Sequence, residues 1–139
     1  MKYLFVPYEQ ALELKEIEFD EPCFGWWFAD EETLIIEKSN KSTSKNIIQA
    51  PTYSQAFRWF RENHNLVYQI NYLYNGNYQV VIHKNTHEYM ELIQDLEHAC
   101  VDEIPDNYSY EEAELACLIK LIEIVKTRQN EKRTFNTNE

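Results

Sequence analysis

Glycine is the first scarcity in this chain: two residues in 139, with only four prolines beside them. Two glycines cannot build a phosphate-cradling glycine loop, which excludes nucleotide sites of that kind. So little Gly and Pro also leaves no long flexible or Pro-rich linker, and a chain of this length is read as one domain. Cysteine is scarce too. Cys23, Cys100 and Cys117 are odd in number, widely spaced and form no C-x-x-C pair. That speaks against a disulfide framework and for reduced thiols in an intracellular setting. Long apolar runs are missing, so no membrane span is expected. The opening MKYLFVPYEQ has neither a long apolar stretch nor a small-residue cleavage site, so no signal peptide is expected. Neither GxSxG nor HExxH occurs, which removes the nucleophile elbow and the zincin helix.

Positive charge is also in deficit. Thirteen Lys and Arg stand against 24 Asp and Glu, a net charge of −11 that repels nucleic acid and anionic membranes. The deficit is uneven. Residues 1–32 carry −7 and residues 86–125 carry −10, whereas residues 33–85 carry +4 and residues 126–139 carry +2.

What is present is enough apolar material for a core, 44% of residues, with ten tyrosines among them. Pro7 fits the start of a helix running through Tyr8, Ala11, Leu12 and Leu14 to about Ile17. In EPCFGWWFADEETLIIEK, two apolar runs flank four polar residues, which reads as a β-hairpin over 23–28 and 34–36. Residues 39–46 read as a polar loop, and Ile47-Ile48 as a short strand.

The run PTYSQAFRWFRENHNL interleaves aromatics with arginines, a pattern shared by nucleic-acid stacking platforms and ordinary core helices. Thr52 and Gln55 form a capping-box pattern. At 100° per residue, Tyr53, Ala56, Phe57 and Phe60 gather on one stripe. Arg58 falls on the opposite side, Arg61 on one flank and Trp59 on the other. A core helix ending at His64-Asn65 is therefore the better reading, with Trp59 at the edge of the core.

The run LVYQINYLYNGNYQVVIHK is a hairpin. A two-residue Asn75-Gly76 turn would mismatch its faces. A three-residue loop of 74–76, with Gly76 left-handed, instead pairs Tyr72 with Tyr78, Ile70 with Val80 and Tyr68 with Ile82. Tyr89, Leu92, Ile93 and Leu96 stand at helical spacing, so residues 86–100 are expected to form a helix. Ser109 and Glu112 open a last helix running to about Thr127, apolar over more than half its girth and so expected to be buried on two sides. The polar residues 129–139 are expected to fray.

His83, His87, His98 and Cys100 have the right chemistry for zinc. His83 closes a strand, however, and His98-Ala99-Cys100 is no usual ligand pair, so edge residues are the better reading. Cys117 lies mid-helix among Ala and Leu, and Cys23 lies beside acids; neither setting favours a thiolate. In the Trp strand, Cys23, Gly25 and Trp27 share one face, and Phe24, Trp26 and Phe28 the other. Two apolar faces point to cover on both sides, or to an exposed face for a partner.

The blocks FDEPCFGWW, APTYSQAFRWFRENHNL and YEEAELACLIKLIEIV together resemble a family of small uncharacterised phage or prophage-type proteins that carry versions of them in this order. The resemblance spans most of the chain, with residues 84–106 departing most. It implies a bacterial host cytoplasm as the location and brings no activity, cofactor or site residue.

The sequence thus predicts a single α+β domain over 1–128, with antiparallel hairpins packed against three or four helices and the C-terminal helix central. It predicts an interaction or accessory protein with Trp26, Trp27 and Trp59 as interaction candidates. Catalytic residues are left unassigned, an enzyme being the less favoured reading, and no cofactor, direct nucleic-acid contact or membrane contact is expected. The partner is expected to be protein, with a homodimer as one form. Two other readings stand beside this one. An acidic nucleic-acid mimic would use residues 86–125, and a metal-dependent enzyme would use His83, His87 and His98.

Overall fold

A computed structural model describes residues 2–28, 33–37, 47–73, 76–85, 90–97 and 109–137. Among these are three α-helices and six strands, and the strands form two separate three-stranded antiparallel sheets. The class is α+β, as the sequence predicts.

The first helix, α1, spans Tyr8–Glu16 behind Pro7, whose fixed φ of −61° starts it. It ends on a pair of bonds typical of a left-handed helix stop: Phe19 N–H donates to Leu14 O at 2.9 Å and Glu18 N–H to Lys15 O at 3.1 Å. The left-handed position is usually glycine, but here it is Glu18, with φ +75°.

The first sheet has the order β2-β1-β3, from β1 Gly25–Phe28, β2 Thr33–Ile36 and β3 Ile47–Ala50. Its register, Trp27 opposite Leu34 and Ile48, confirms the predicted hairpin and the short third strand. Gly25 is required by close approach: a Cβ there would lie 2.7 Å from the Phe5 ring.

Helix α2, Tyr53–His64, settles the question raised by its mixed aromatics and arginines. Tyr53, Ala56, Phe57 and Phe60 are buried, as their stripe predicts. Thr52 Oγ1 accepts from Gln55 N–H at 3.2 Å, so half of the capping box forms. The reciprocal half is replaced: Gln55 Nε2 donates instead to Glu21 Oε1 and Pro22 O, at 3.2 and 3.0 Å. Arg58, on the solvated side, pairs with the same Glu21 at 3.5 Å. Asn65 closes the helix at φ +54°.

The second sheet has the order β4-β5-β6, from β4 Leu66–Tyr72, β5 Tyr78–Asn85 and β6 Met90–Glu97. Tyr72 pairs with Tyr78, Ile70 with Val80 and Tyr68 with Ile82, which is the register face matching predicts. Gly76 is left-handed, at φ +87°.

Strand β6 corrects the helix expected over residues 86–100. Its ladder with β5 slips by one residue between Ile82 and His83, so that Ile82 faces Gln94 and His83 faces Leu92. Ile93 is the extra residue of a β-bulge, which breaks strict alternation in the sequence and leaves the 92, 93, 96 spacing that imitates a helix.

Helix α3 runs over Tyr110–Thr137 and opens on Ser109, whose Oγ accepts from Glu112 N–H at 3.1 Å. It packs against α1, α2, β4 and β5, a central place, and buries Ala113, Cys117, Leu118, Leu121, Ile122 and Val125. The helix continues ten residues beyond Thr127, where fraying was expected. Two docking bonds explain the first part of that extension. Lys126 pairs with Glu13 of α1 at 2.9 Å, and Arg128 Nη1 donates to His64 O of α2 at 3.1 Å. No described helix is long and apolar enough to cross a membrane.

Candidate functional site

Alternation along β1 divides its side chains between two environments. Trp27 points inward at 4% exposure, where its Nε1 donates to Val6 O at 3.1 Å and its ring meets Tyr8 edge-on. Trp59, expected at the edge of the core, lies inside it at 5% exposure, packed edge-to-face against Phe19 and Phe60. Both are therefore corrected from interaction candidates to core residues: each ring is held by aromatic neighbours, and Trp27 also spends its N–H. Trp26 alone of the three faces outward.

Around Trp26 the sheet presents an apolar outer face. Trp26 and Phe28, two residues apart, meet edge-on at a centroid distance of 4.7 Å. In register beside them stand Ile35 on β2 and Ile47 on β3, with Thr33 and Gln49 as uncharged neighbours. Trp26, Phe28, Ile35 and Ile47 are half-buried, and none of them packs against the core. Phe24, which leads into the strand, is 63% exposed. Of the two faces expected to be covered, then, only the Trp27 face is core. The backbone at its entry is fixed by Gln49, whose Oε1 accepts from Cys23 N–H at 3.1 Å. The sheet is a preset platform, with no side chain on it that does acid–base or nucleophilic chemistry.

The thiols offer none either. Burial, and then the nearby Glu21 carboxylate, push Cys23 up to about 12, and its Sγ donates to Glu21 O at 3.3 Å. Burial raises Cys117 further, with Glu114 adding to it. Both are free thiols held in the unreactive form.

His83 lies on β5 opposite Val67 and Leu92, beside the bulge. Its buried Nδ1 has no hydrogen-bond partner among the described residues. His87, His98 and Cys100 lie outside those residues. Among the described residues, no three His, Cys, Asp or Glu side chains gather as metal ligands would. The described residues of the acidic segment 86–125 include β6 and the first half of α3, where Glu111 and Glu112 occupy the first turn and suit the helix dipole.

No family model, curated protein or solved structure matches this chain.

Proposed function

We propose that this chain is a non-enzymatic interaction protein whose docking face is the outer side of the first sheet, and that its first occupant is a second copy of the chain. The observation that carries the reading is the aromatic set of exposed Phe24 and half-buried Trp26 and Phe28 on one face, with uncharged Thr33 and Gln49 in register beside them. In a chain of net charge −11, an apolar face whose in-register neighbours are uncharged lets two copies meet without burying a charge from those strand positions. Aromatic residues are enriched at interface hot spots, and a two-fold contact presents the same face twice. The resemblance to phage-type proteins supports an accessory role in a phage-infected or lysogenic bacterium.

Sedimentation equilibrium over about 5–200 micromolar protein tests the proposal by mass action. The wild type should pass from the 16.8 kDa monomer towards twice that mass. Phe24→Ser and Trp26→Ser should hold it at the monomer mass while the chain stays folded by circular dichroism. Dimerisation undiminished in both variants would move the docking face elsewhere. Salt-sensitive capture of a DNA-binding protein that survives Trp26→Ser would favour the acidic-mimic reading instead.

A further inference from the structure

The extension of α3 places a cluster of cations that the sheet face does not involve. Val125, Arg128, Gln129, Lys132 and Arg133 recur at intervals of three and four, so they lie on one side of the helix. Facing them are Asn63, His64 and Asn65 at the end of α2, and Glu18 just past α1. Together these residues line a cleft of about 500 Å³, within the roughly 300–1,000 Å³ of small-ligand sites. Three cations and one carboxylate line it, on a molecule of net −11.

Ordinary structural roles leave part of this cluster unexplained. The last turn of α3 contains no basic residue, so the helix dipole does not account for cations placed earlier. Arg128 does have a structural task, since its Nη1 satisfies His64 O at 3.1 Å. A guanidinium has five N–H donors, however, and that task uses one. Lys132 is exposed and forms no ion pair among the described residues. The His64 ring meets Trp59 edge-on at 4.7 Å, which fixes its position at the cleft wall. Burial, then Arg128 and Lys132, lower its pKa against the opposing pull of Glu18, so it stands neutral at pH 7 with one nitrogen donating and one accepting. The two left-handed residues other than glycine among the described residues, Glu18 and Asn65, both line this cleft.

We infer that the cleft binds a small phosphate monoester, with Arg128 and Lys132 as its principal oxygen-binding groups. Arg128 and Lys132, two cations, match a phosphate dianion. A guanidinium fork and an ammonium point charge are the two side-chain donors suited to phosphate oxygens. Glu18 opposes the anion and tunes its affinity downward. The remaining volume and the polar walls at Asn63 and Gln129 suit a hydroxylated group esterified to the phosphate, such as a sugar.

Titration calorimetry of the intact chain at fixed ionic strength, with sodium phosphate, ribose 5-phosphate and succinate as separate probes, tests this. Ribose 5-phosphate should bind saturably at one site, more tightly than phosphate, and succinate more weakly than either. Lys132→Gln should weaken ribose 5-phosphate roughly tenfold, the loss of one charge-assisted contact. Glu18→Gln should tighten it, and Lys120→Gln, about two turns before Arg128 on α3, should leave it unchanged. Arg128→Gln also removes a helix-end bond, so exposed Lys132 is the variant that decides, with its melting temperature as the folding control. Saturable binding of none of the probes, succinate equal to the phosphates, or an equal loss in Lys120→Gln would overturn the assignment.

Discussion

At the scale of single residues, local chemistry was legible in the sequence and long-range partners were not. Thr52 as a helix cap, Asn65 as a left-handed stop and Gly76 in its turn each follow from a few neighbouring letters, and each is found in place. Gln55 was expected to reach back to its own cap but bonds Glu21, 34 positions away, because folding brings a carboxylate within reach that the local pattern cannot show. Trp59 was expected at the core edge for a similar reason: its cover comes from Phe19, on a different segment. The division of α2 into buried and solvated sides makes a direct test. Phe60→Ala should cost about 3–5 kcal/mol, since Phe60 is fully buried. Arg58→Ala should cost less than about 1 kcal/mol, because its pair with Glu21 is a surface contact. Chemical denaturation of the two variants compares them, and equal losses would refute the assignment of faces. His64 gives a second test. Its folded pKa is lowered, first by burial, so the unfolded chain takes up a proton more readily than the native one. Stability is therefore lost as pH falls below the ordinary imidazole value of about 6.5, and the loss ends once the folded group also titrates. The urea midpoint of wild type relative to His64→Gln should accordingly shrink between about pH 7.5 and pH 5.5.

At the scale of elements, periodicity identified those whose apolar residues keep one phase and failed where the phase breaks. The register of β4 with β5 follows from uninterrupted alternation. Strand β6 was misread as a helix because its bulge at Ile93 inserts one residue, after which three apolar positions fit a period of 3.6. The tail of α3 was misread for the opposite reason. It has no apolar stripe, and the contacts that dock its start, Lys126 on α1 and Arg128 on α2, are ones that composition does not reveal. The positive charge of residues 126–139 was the one available signal, and its meaning depended on the helix that displays it. Shortage of glycine leaves a mark at this scale too. α1 ends on Glu18 at φ +75°, a conformation that costs a residue with a Cβ about 1 kcal/mol or more. Glu18→Gly should raise stability by about 0.5–1 kcal/mol, after allowance for the greater freedom of glycine in the unfolded chain. Thermal unfolding measures the difference, and a lower melting temperature would show that the Glu18 side chain stabilises the helix end by more than its backbone conformation costs.

At the scale of the whole molecule, charge and apolar surface make opposed demands, and salt separates them. Each copy carries −11, so two copies repel on average. The outer face of the first sheet offers Trp26, Phe28, Ile35 and Ile47 with uncharged neighbours in register, so the apolar contact itself buries no charge known from those positions. Repulsion then acts from the surrounding acids across solvent, where screening shortens its reach from about 10 Å at 0.1 M salt to about 3 Å at 1 M. A dimer through this face should therefore tighten as ionic strength rises, with its dissociation constant falling severalfold, and salt also strengthens apolar burial. A contact formed the other way, with the basic residues of 126–139 against the acidic residues of 86–125, would weaken with salt. Sedimentation equilibrium at low and high sodium chloride thus reads the sign of the response. Tightening that disappears in Trp26→Ser identifies the aromatic sheet face. Weakening with salt assigns association to opposite charges, and a 16.8 kDa species under every condition shows that the face does not bind a second copy.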